Sequence, residues 1–500
     1  MSEKLKKLKE ILGEVSDLNH AASVLDWDQQ VNMPQAGSEA RGQQLGTLGK
    51  IAQEKFIADE VGGLLEDLKK EFDGADPASD EAAMIRVAAR NYEIAKRVPP
   101  SFIVEQAIVT TKAFDAWMQA RAKSDFSIFR PHLEKVVDLI HKYVSFFPPS
   151  DHPYDVLLDL YEPGMKTAEV KAIFDGLRPK QVKLIKAITS SKQVKDGFLQ
   201  RKFNEKKLWD FGEGIIAKFG YDFNRGRQDK APHPFETTFS VNDVRITTRY
   251  EPDNPMAMLF STMHEAGHAM YEQGVKPEYE RTALESGTSL AVHESQSRMW
   301  ENLVGRSLPF WEYFYPQFKK VFAAQLDGVS LKTFYKAINK VEPSLIRVNA
   351  DEATYNLHIM LRLELEIAMV EGMVKIKDLP DLWNTKMHEY LGVTPPNDAK
   401  GVLQDIHWSA GSIGYFSTYA LGNLVSVQLW EKINKDIKNL DEHMRRGEFS
   451  ELREWLRKNI HQHGQKFEPQ TLVEKVTGSK ITPEPYVRYL TKKYSEIYGL

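Results

Sequence analysis

Two histidines four residues apart on an apolar helix, His264 and His268, constrain this chain more than any other feature. The stretch from Asn254 to Gly274 reads as one helix. Asn254 is a good N-cap, and Pro255 suits the first helical position, where its missing N–H leaves no acceptor unmet. Gly274 is placed to end the helix in a left-handed turn. On such a helix both imidazoles leave one face, so they can grip a single ion. Glu265 sits about 100° further round, near enough to reach a water beside that ion without ligating it. This is the HExxH arrangement of a zinc hydrolase. It asks the rest of the chain for a third ligand, a substrate cleft and groups that place a scissile bond.

The composition sets the frame for that site. With 500 residues, 42% of them hydrophobic, the chain can bury a large core and has the length of two to four domains. A formal net charge of -4 gives no electrostatic case for nucleic acid. The absence of cysteine excludes disulfides, thiol catalysis and thiolate ligands, and fits a reducing cytosol. The first ten residues lack the apolar core of a signal peptide, and no apolar run is long enough for a membrane span. A soluble, cytoplasmic protein is expected.

In order, the chain reads overwhelmingly as helix. Leu5, Leu8, Ile11, Leu12, Val15 and Leu18 form an apolar stripe at helical spacing. Helical patterns follow from Ser38 to about Asp73, from Ser79 to Arg97, and from the Pro99-Pro100 break to about Phe146. The proline-rich segment 147–153 marks a soft boundary. Beyond it lie helices at about Thr167 to Ser191 and Asn204 to Lys218. The one convincing β region precedes the histidine helix: Phe235 to Ser240 and Val244 to Tyr250, with Asn242-Asp243 as turn material between them. A hairpin there either props the helix or offers an edge strand to an extended peptide.

The third ligand has to come from downstream. The stretch from Val292 to Glu301 is helical, and packed against the first helix it brings Glu294 to the ion as the carboxylate of a two-histidine, one-glutamate site. His293 and Glu301 are its rivals. His293 points to a different face, and Glu301 lies two turns further on.

Five motifs spread between Asp243 and His407 then place the chain beside a known family. They are Asp243-Val244-Arg245-Ile246-Thr247 (DxRxT), His264 to His268 (HEAGH), His293 to Arg298 (HESQSR), Ile346 to Asp351 (IRxxAD) and Gly401 to Trp408 (GxxQDxHW). Together they resemble the HExxH metallocarboxypeptidases of the thermostable carboxypeptidase Taq family, and the likeness extends over essentially the whole chain. The resemblance implies a mainly α, elongated, all-helical metallopeptidase fold, similar to neurolysin and angiotensin-converting enzyme. In that fold a deep central groove runs past a small antiparallel β-sheet next to the HExxH helix. It implies a single metallocarboxypeptidase domain over residues 1–500, with a lid-like helical region at 1–146 and a catalytic region at 147–500. It implies a homodimer that removes C-terminal residues from peptides with a free C-terminus. Specificity would be broad, and proline near the cleaved bond would be disfavoured. His264, His268 and Glu294 would bind Zn2+, with Co2+ as a substitute, and Glu265 would activate the water.

The remaining site residues follow from what such a reaction needs. The oxyanion wants a donor beside the ion, and the polar, aromatic segment from Gln404 to Tyr419 offers His407, Tyr415 and Tyr419. For either tyrosine taken singly, simple packing in a helix serves as well. A terminal carboxylate calls for the planar fork of an arginine. Arg347 comes first and Arg245 second, set against structural pairs of Arg347 with Asp351 and of Arg245 with Asp243. Asp405 is expected to orient a metal-bound histidine, and His233 to line the cleft. His461 and His463 read as a solvated surface, and the aromatic run from Trp311 to Phe318 as core or dimer contact. Two other functions share these features: a zinc peptidase that cuts internally or removes dipeptides, and a non-catalytic peptide binder.

Overall fold

The computed structural model describes residues 2–500. Helices follow one another with short breaks, each set by local chemistry. The apolar stripe of the first stretch becomes α1 (Glu3–Val31), capped by Ser2, whose side chain accepts from the Leu5 N–H. The Ser38-to-Asp73 pattern divides at Ala58 into α2 (Ser38–Phe56) and α3 (Asp59–Glu71), and α4 spans Asp80–Arg97. Pro99 and Pro100 open α5 (Pro100–Lys123), where a residue lacking an N–H leaves no intrahelical bond unmade. Ser124 then turns left-handed, and α6 (Phe126–Val144) starts afresh on an Asp125 cap. After it come α7 (Pro153–Leu158), α8 (Thr167–Thr189) and α9 (Glu205–Phe219).

The β region is a three-stranded mixed sheet, not a simple antiparallel hairpin. Strands β2 (Glu236–Ser240) and β3 (Asp243–Thr248) pair antiparallel as expected, with Thr237 opposite Arg245 and an irregularity between Thr238 and Ser240. A short strand β1 (Gln228–Lys230) joins the other side of β3 in parallel, so β3 is central and β2 lies at an edge. Gln228-Asp229-Lys230 carries no β signature, and only the long-range pairing makes it a strand. The inward face of β3, Val244 and Ile246, is fully buried. Thr248 fastens the strand to the next helix, α10 (Pro255–Gly274), through its hydroxyl contacts with Ser261 Oγ at 3.0 Å and the Met258 carbonyl at 3.3 Å.

Both ends of α10 differ from expectation. Asn254 takes the N-cap position without a side-chain hydrogen bond, so Pro255 alone sets the start. Gly274 is not left-handed: the helix runs through it and ends at Val275 in extended backbone. What Gly274 provides is clearance, because a Cβ there would stand 2.6 Å from the ring of His461. His461 is 1% exposed, with its ring against Tyr271 and its Nε2 2.9 Å from Gln296 Oε1, so it is core and not solvated surface; His463 is half-buried.

Beyond α10 run α11 (Leu290–Arg298), which widens into a π-helical turn over Met299–Val304, then α12 (Leu308–Val321) and α13 (Leu331–Ile338). The aromatic run of α12 is core, with Trp311 and Phe318 fully buried against Phe334. The rest is α14 (Tyr355–Val370), α15 (Leu379–Leu391), α16 (Ser417–Asp436), α17 (Leu440–Arg445), α18 (Ser450–Asn459), α19 (Pro469–Thr477) and α20 (Glu484–Tyr498).

These elements gather into two compact units. One comprises residues 1–96, 196–337 and 429–478, and the other 97–195, 338–428 and 479–500. In the first unit α10 is central, packed by α9, α11 and the sheet, and α1 lies along β2. In the second, α14 is buried on nearly every face and packs on α6, α8 and α15. No helix among the described residues is long and apolar enough to cross a membrane.

Candidate metal centre

The site begins with a contact between two backbones. Gly267, between the two histidines of α10, lies against α11: a Cβ built on it would stand 2.6 Å from Ser297 Cα and 2.7 Å from the Gln296 carbonyl oxygen. Only glycine permits this approach, and it brings Glu294 of α11 beside His264 and His268. Glu294 Oε2 is 3.5 Å from His264 Nε2 and 3.3 Å from His268 Nε2, and one donor atom from each residue falls within 4.8 Å of the others. Among the described residues this is the one such histidine–carboxylate group. Glu265 and Glu294 are buried, whereas the imidazoles of His264 and His268 keep 17% and 16% of their exposure, so the cluster opens to solvent on the histidine side.

Each imidazole is held from behind. His264 Nδ1 is 2.9 Å from Glu301 Oε2, and Glu301 is gripped by Arg298 and Arg306, each at 3.2 Å. Arg298 also donates to Glu294 Oε1 at 2.7 Å, tying the two carboxylates together. His268 Nδ1 meets His293 Nδ1 at 2.5 Å, and His293 Nε2 lies 2.8 Å from Glu272 Oε1. The two residues weighed as rival ligands thus stand behind the two histidines of the candidate site, Glu301 against His264 and His293 against His268. The sequence reading missed Glu301 in this place, although seven residues beyond Glu294 is two turns on the same face and is the signal that could have found it. Glu272 was missed as well, and its place one turn beyond His268 on α10 is the corresponding signal.

Burial is the dominant electrostatic influence. It pushes the Glu265 carboxyl up to about 7, opposed by His264 and helped by Glu294 and Glu301. It pushes His268 down to about 3, which keeps that ring neutral with a lone pair to give. Burial also works against ionised Glu294, but Arg298, His264 and His268 outweigh it and hold the carboxyl well below its usual range. Two neutral-capable imidazole nitrogens and an ionised carboxylate, converging and partly open to solvent, fit a catalytic divalent-cation site with room for water.

The other sequence-predicted residues divide between the units. In the first, Arg245 is taken by Asp243 through two hydrogen bonds of 2.8 Å, and its guanidinium sits over Trp27 at 4.4 Å and Phe239 at 4.9 Å. His233 is exposed. In the second, Arg347, His407, Tyr415 and Tyr419 come together. The Arg347 guanidinium lies 5.0 Å from the Tyr419 ring centre, and the His407 ring stands 5.3 Å from Tyr415 and 6.4 Å from Tyr419.

Neither of the pairings weighed for this segment forms. Arg347 does not pair with Asp351, which caps the Ala353 and Thr354 N–H groups instead. It donates to Asp405 Oδ1 from Nε at 3.1 Å and from Nη2 at 2.8 Å, and to the Tyr355 hydroxyl at 2.9 Å. Asp405, expected to steady a metal-bound histidine, has both oxygens on arginines, the second on fully buried Arg362 at 2.5–2.7 Å. The IRxxAD and GxxQDxHW segments thus form one network: Gln404 accepts the Arg347 N–H at 2.9 Å, and Trp408 donates to buried Glu366 at 2.9 Å. Burial, with Arg347 and Arg362 adding to it against Asp405, brings His407 down to about 4 and leaves it neutral.

A buried glutamate next to two histidines and a carboxylate, on packed helices of a mainly helical chain, defines a metallohydrolase of the HExxH type. The family model described as carboxypeptidase Taq (M32) metallopeptidase matches residues 7–494. Thermostable carboxypeptidase 1 of Thermus thermophilus is 41% identical, with 98% of each chain covered, and carboxypeptidase 1 of Bacillus subtilis is 37% identical over 99% of each. The crystal structure of the M32 carboxypeptidase from Deinococcus radiodurans superposes with a TM-score of 0.97 at 39% identity, covering the whole of both chains. The chain belongs to the carboxypeptidase Taq (M32) metallopeptidase family.

Proposed function

We propose that this protein is a metal-dependent carboxypeptidase that hydrolyses the C-terminal bond of peptides, with broad specificity and poor action where proline adjoins the bond. One observation carries the reading: the donor atoms of His264, His268 and Glu294 converge, and the buried Glu265, which follows His264 in the chain, feels the charges of His264 and Glu294. A cation held there, with zinc the first choice and cobalt a substitute, would supply Lewis acidity and lower the pKa of a water beside it towards about 7. Glu265 takes the proton of the attacking water and returns it to the leaving amine, a role that needs a carboxyl poised near the working pH. His407, Tyr415 and Tyr419 serve as donors to the developing oxyanion, and a neutral His407 can donate without adding a charge. Arg347 reads the terminal carboxylate ahead of Arg245, and His233 contributes to substrate binding. The N-terminal helices act as a lid that admits short, unfolded chains. The resemblance to the family alone supports a homodimer and a cytoplasmic location.

The test is a pair of peptides of one sequence, one a free acid and the other its C-terminal amide, incubated with zinc-loaded protein and followed by mass spectrometry. A ladder of single-residue losses from the free acid, with the amide slower, is the expected result. An internal cut, or equal rates on the two peptides, overturns the reading.

A further inference from the structure

His293 stands in an arrangement that metal ligation by its neighbours does not by itself require. The ring centres of His268 and His293 are 4.7 Å apart while their Nδ1 atoms approach to 2.5 Å, so the nitrogens lie between the rings, edge to edge and not stacked. At the far edge, His293 Nε2 is 2.8 Å from Glu272 Oε1, an oxygen that also accepts from Ser286 Oγ at 2.9 Å and the Gly287 N–H at 3.0 Å. Glu272 is 2% exposed, and a buried carboxylate taking three donors is an acceptor only. With the ring neutral, the proton of His293 sits on Nε2 against Glu272 and Nδ1 offers a lone pair to His268. The one proton between the two rings then belongs to His268 Nδ1, which leaves His268 Nε2 bare and directed to the side of Glu294.

The ring of His293 is also fixed in place. Tyr271 lies 5.1 Å from it and 5.1 Å from His461. The loop residue Gly287 closes over it so tightly that a Cβ would stand 2.8 Å from His293 Cδ2. His264 differs, resting directly on the carboxylate of Glu301. The two histidines of the motif are thus oriented by different devices, one through a carboxylate and the other through a second imidazole.

We propose that His293 is a positioning residue: under the control of Glu272, it fixes the tautomer and orientation in which His268 presents Nε2 to a metal ion. The inference rests on the reading of His264, His268 and Glu294 as a metal site. Replacing His293 removes no ligand atom, yet it frees His268 to hold its proton on either nitrogen and to rotate. Supports of this kind are worth about 10- to 100-fold in metal affinity.

Two substitutions separate positioning from packing. His293→Phe keeps a flat ring against Tyr271 but removes both nitrogens, and His293→Gln keeps an acceptor and a donor in tandem. Zn2+ and Co2+ dissociation constants are measured by chelator competition, with the visible spectrum of the Co2+ form and the melting temperature of the metal-free protein. The expected result is binding weakened about 10- to 100-fold in His293→Phe with an altered Co2+ spectrum, an intermediate loss in His293→Gln, and similar metal-free melting temperatures. Co2+ binding by His293→Phe as tight as wild type or tighter, with an unchanged spectrum, overturns the proposal. Should that variant not fold, Glu272→Gln leaves His293 in place while weakening its acceptor, and unchanged affinity there is equally decisive against it. A wild-type protein that binds neither ion overturns the metal reading and the relay with it. Tight metal binding without peptide hydrolysis overturns only the proposed reaction.

Discussion

Gly267 and Ser297 touch through their backbones, the Cβ that Gly267 lacks falling 2.6 Å from Ser297 Cα. The candidate ligand set is split across this contact, with two histidines on one side and the glutamate on the other. The same close approach seats Glu301 against His264.

Gly267→Ala is therefore expected to push α11 away from α10, because a helix backbone cannot yield as a flexible side-chain end can. Overpacking of this kind costs about 1–3 kcal/mol. Chemical denaturation should register that loss, and chelator competition should show weaker metal binding. Wild-type values for both would mean that the helices part without disturbing Glu294.

Glu265→Gln removes the proposed base without touching a ligand. Turnover is expected to fall by about 10²- to 10⁴-fold, the usual contribution of a positioned acid–base group, with metal content unchanged. Elemental analysis beside single-peptide kinetics checks this. Undiminished turnover would exclude Glu265 from the chemistry.

Asp405→Asn leaves Arg347 and Arg362 without their shared carboxylate in a buried setting. Breaking such a cluster from one side costs about 3–5 kcal/mol. Burial alone would raise the Asp405 pKa, but Arg362 and Arg347 outweigh it and hold the carboxyl well below its ordinary 3.8. A lowered pKa means that the unfolded chain binds the proton first, so this contribution is complete above about pH 4 and shrinks as pH falls. The stability gap between wild type and Asp405→Asn should be constant from pH 5 to 7 and narrow below about pH 4. A gap that widens on acidification would contradict the assignment.

Arg347→Lys keeps a charge and loses the planar fork. If Arg347 reads the terminal carboxylate, KM for free-acid peptides rises while rates on the matching amides change little, and the preference for acid over amide shrinks. An intact preference would point to a different cation.

Much of this site was legible before any fold was known. The i, i+4 spacing of His264 and His268, and the placing of Glu294 on a second helix, are matters of helical geometry within short segments. Glu301 was weighed only as a rival ligand and Glu272 was not singled out, although each lies whole turns from a candidate ligand and stands behind a histidine, Glu301 behind His264 and Glu272 behind His293. The strand Gln228–Lys230 was not legible, since a polar tripeptide becomes a strand only by pairing with β3. His461 was not either: its surroundings in sequence are charged, and Tyr271, Gln296 and Gly274 reach it from far along the chain. Asp405 was assigned to a different partner because Arg362 lies 43 residues away on α14, while Asp405 itself sits in a non-helical segment.

The sequence alone determined which groups could do chemistry, and within each helix which of them share a face. Backbone geometry repeats every 3.6 residues whatever surrounds it, so that information is local. Tertiary structure decided what each group is joined to: His293 to His268 and Glu272, Arg347 to Asp405 and not to Asp351, Gly267 to Ser297. Those pairings come from which helices pack together and how closely, and close packing is a property of the whole core rather than of any segment.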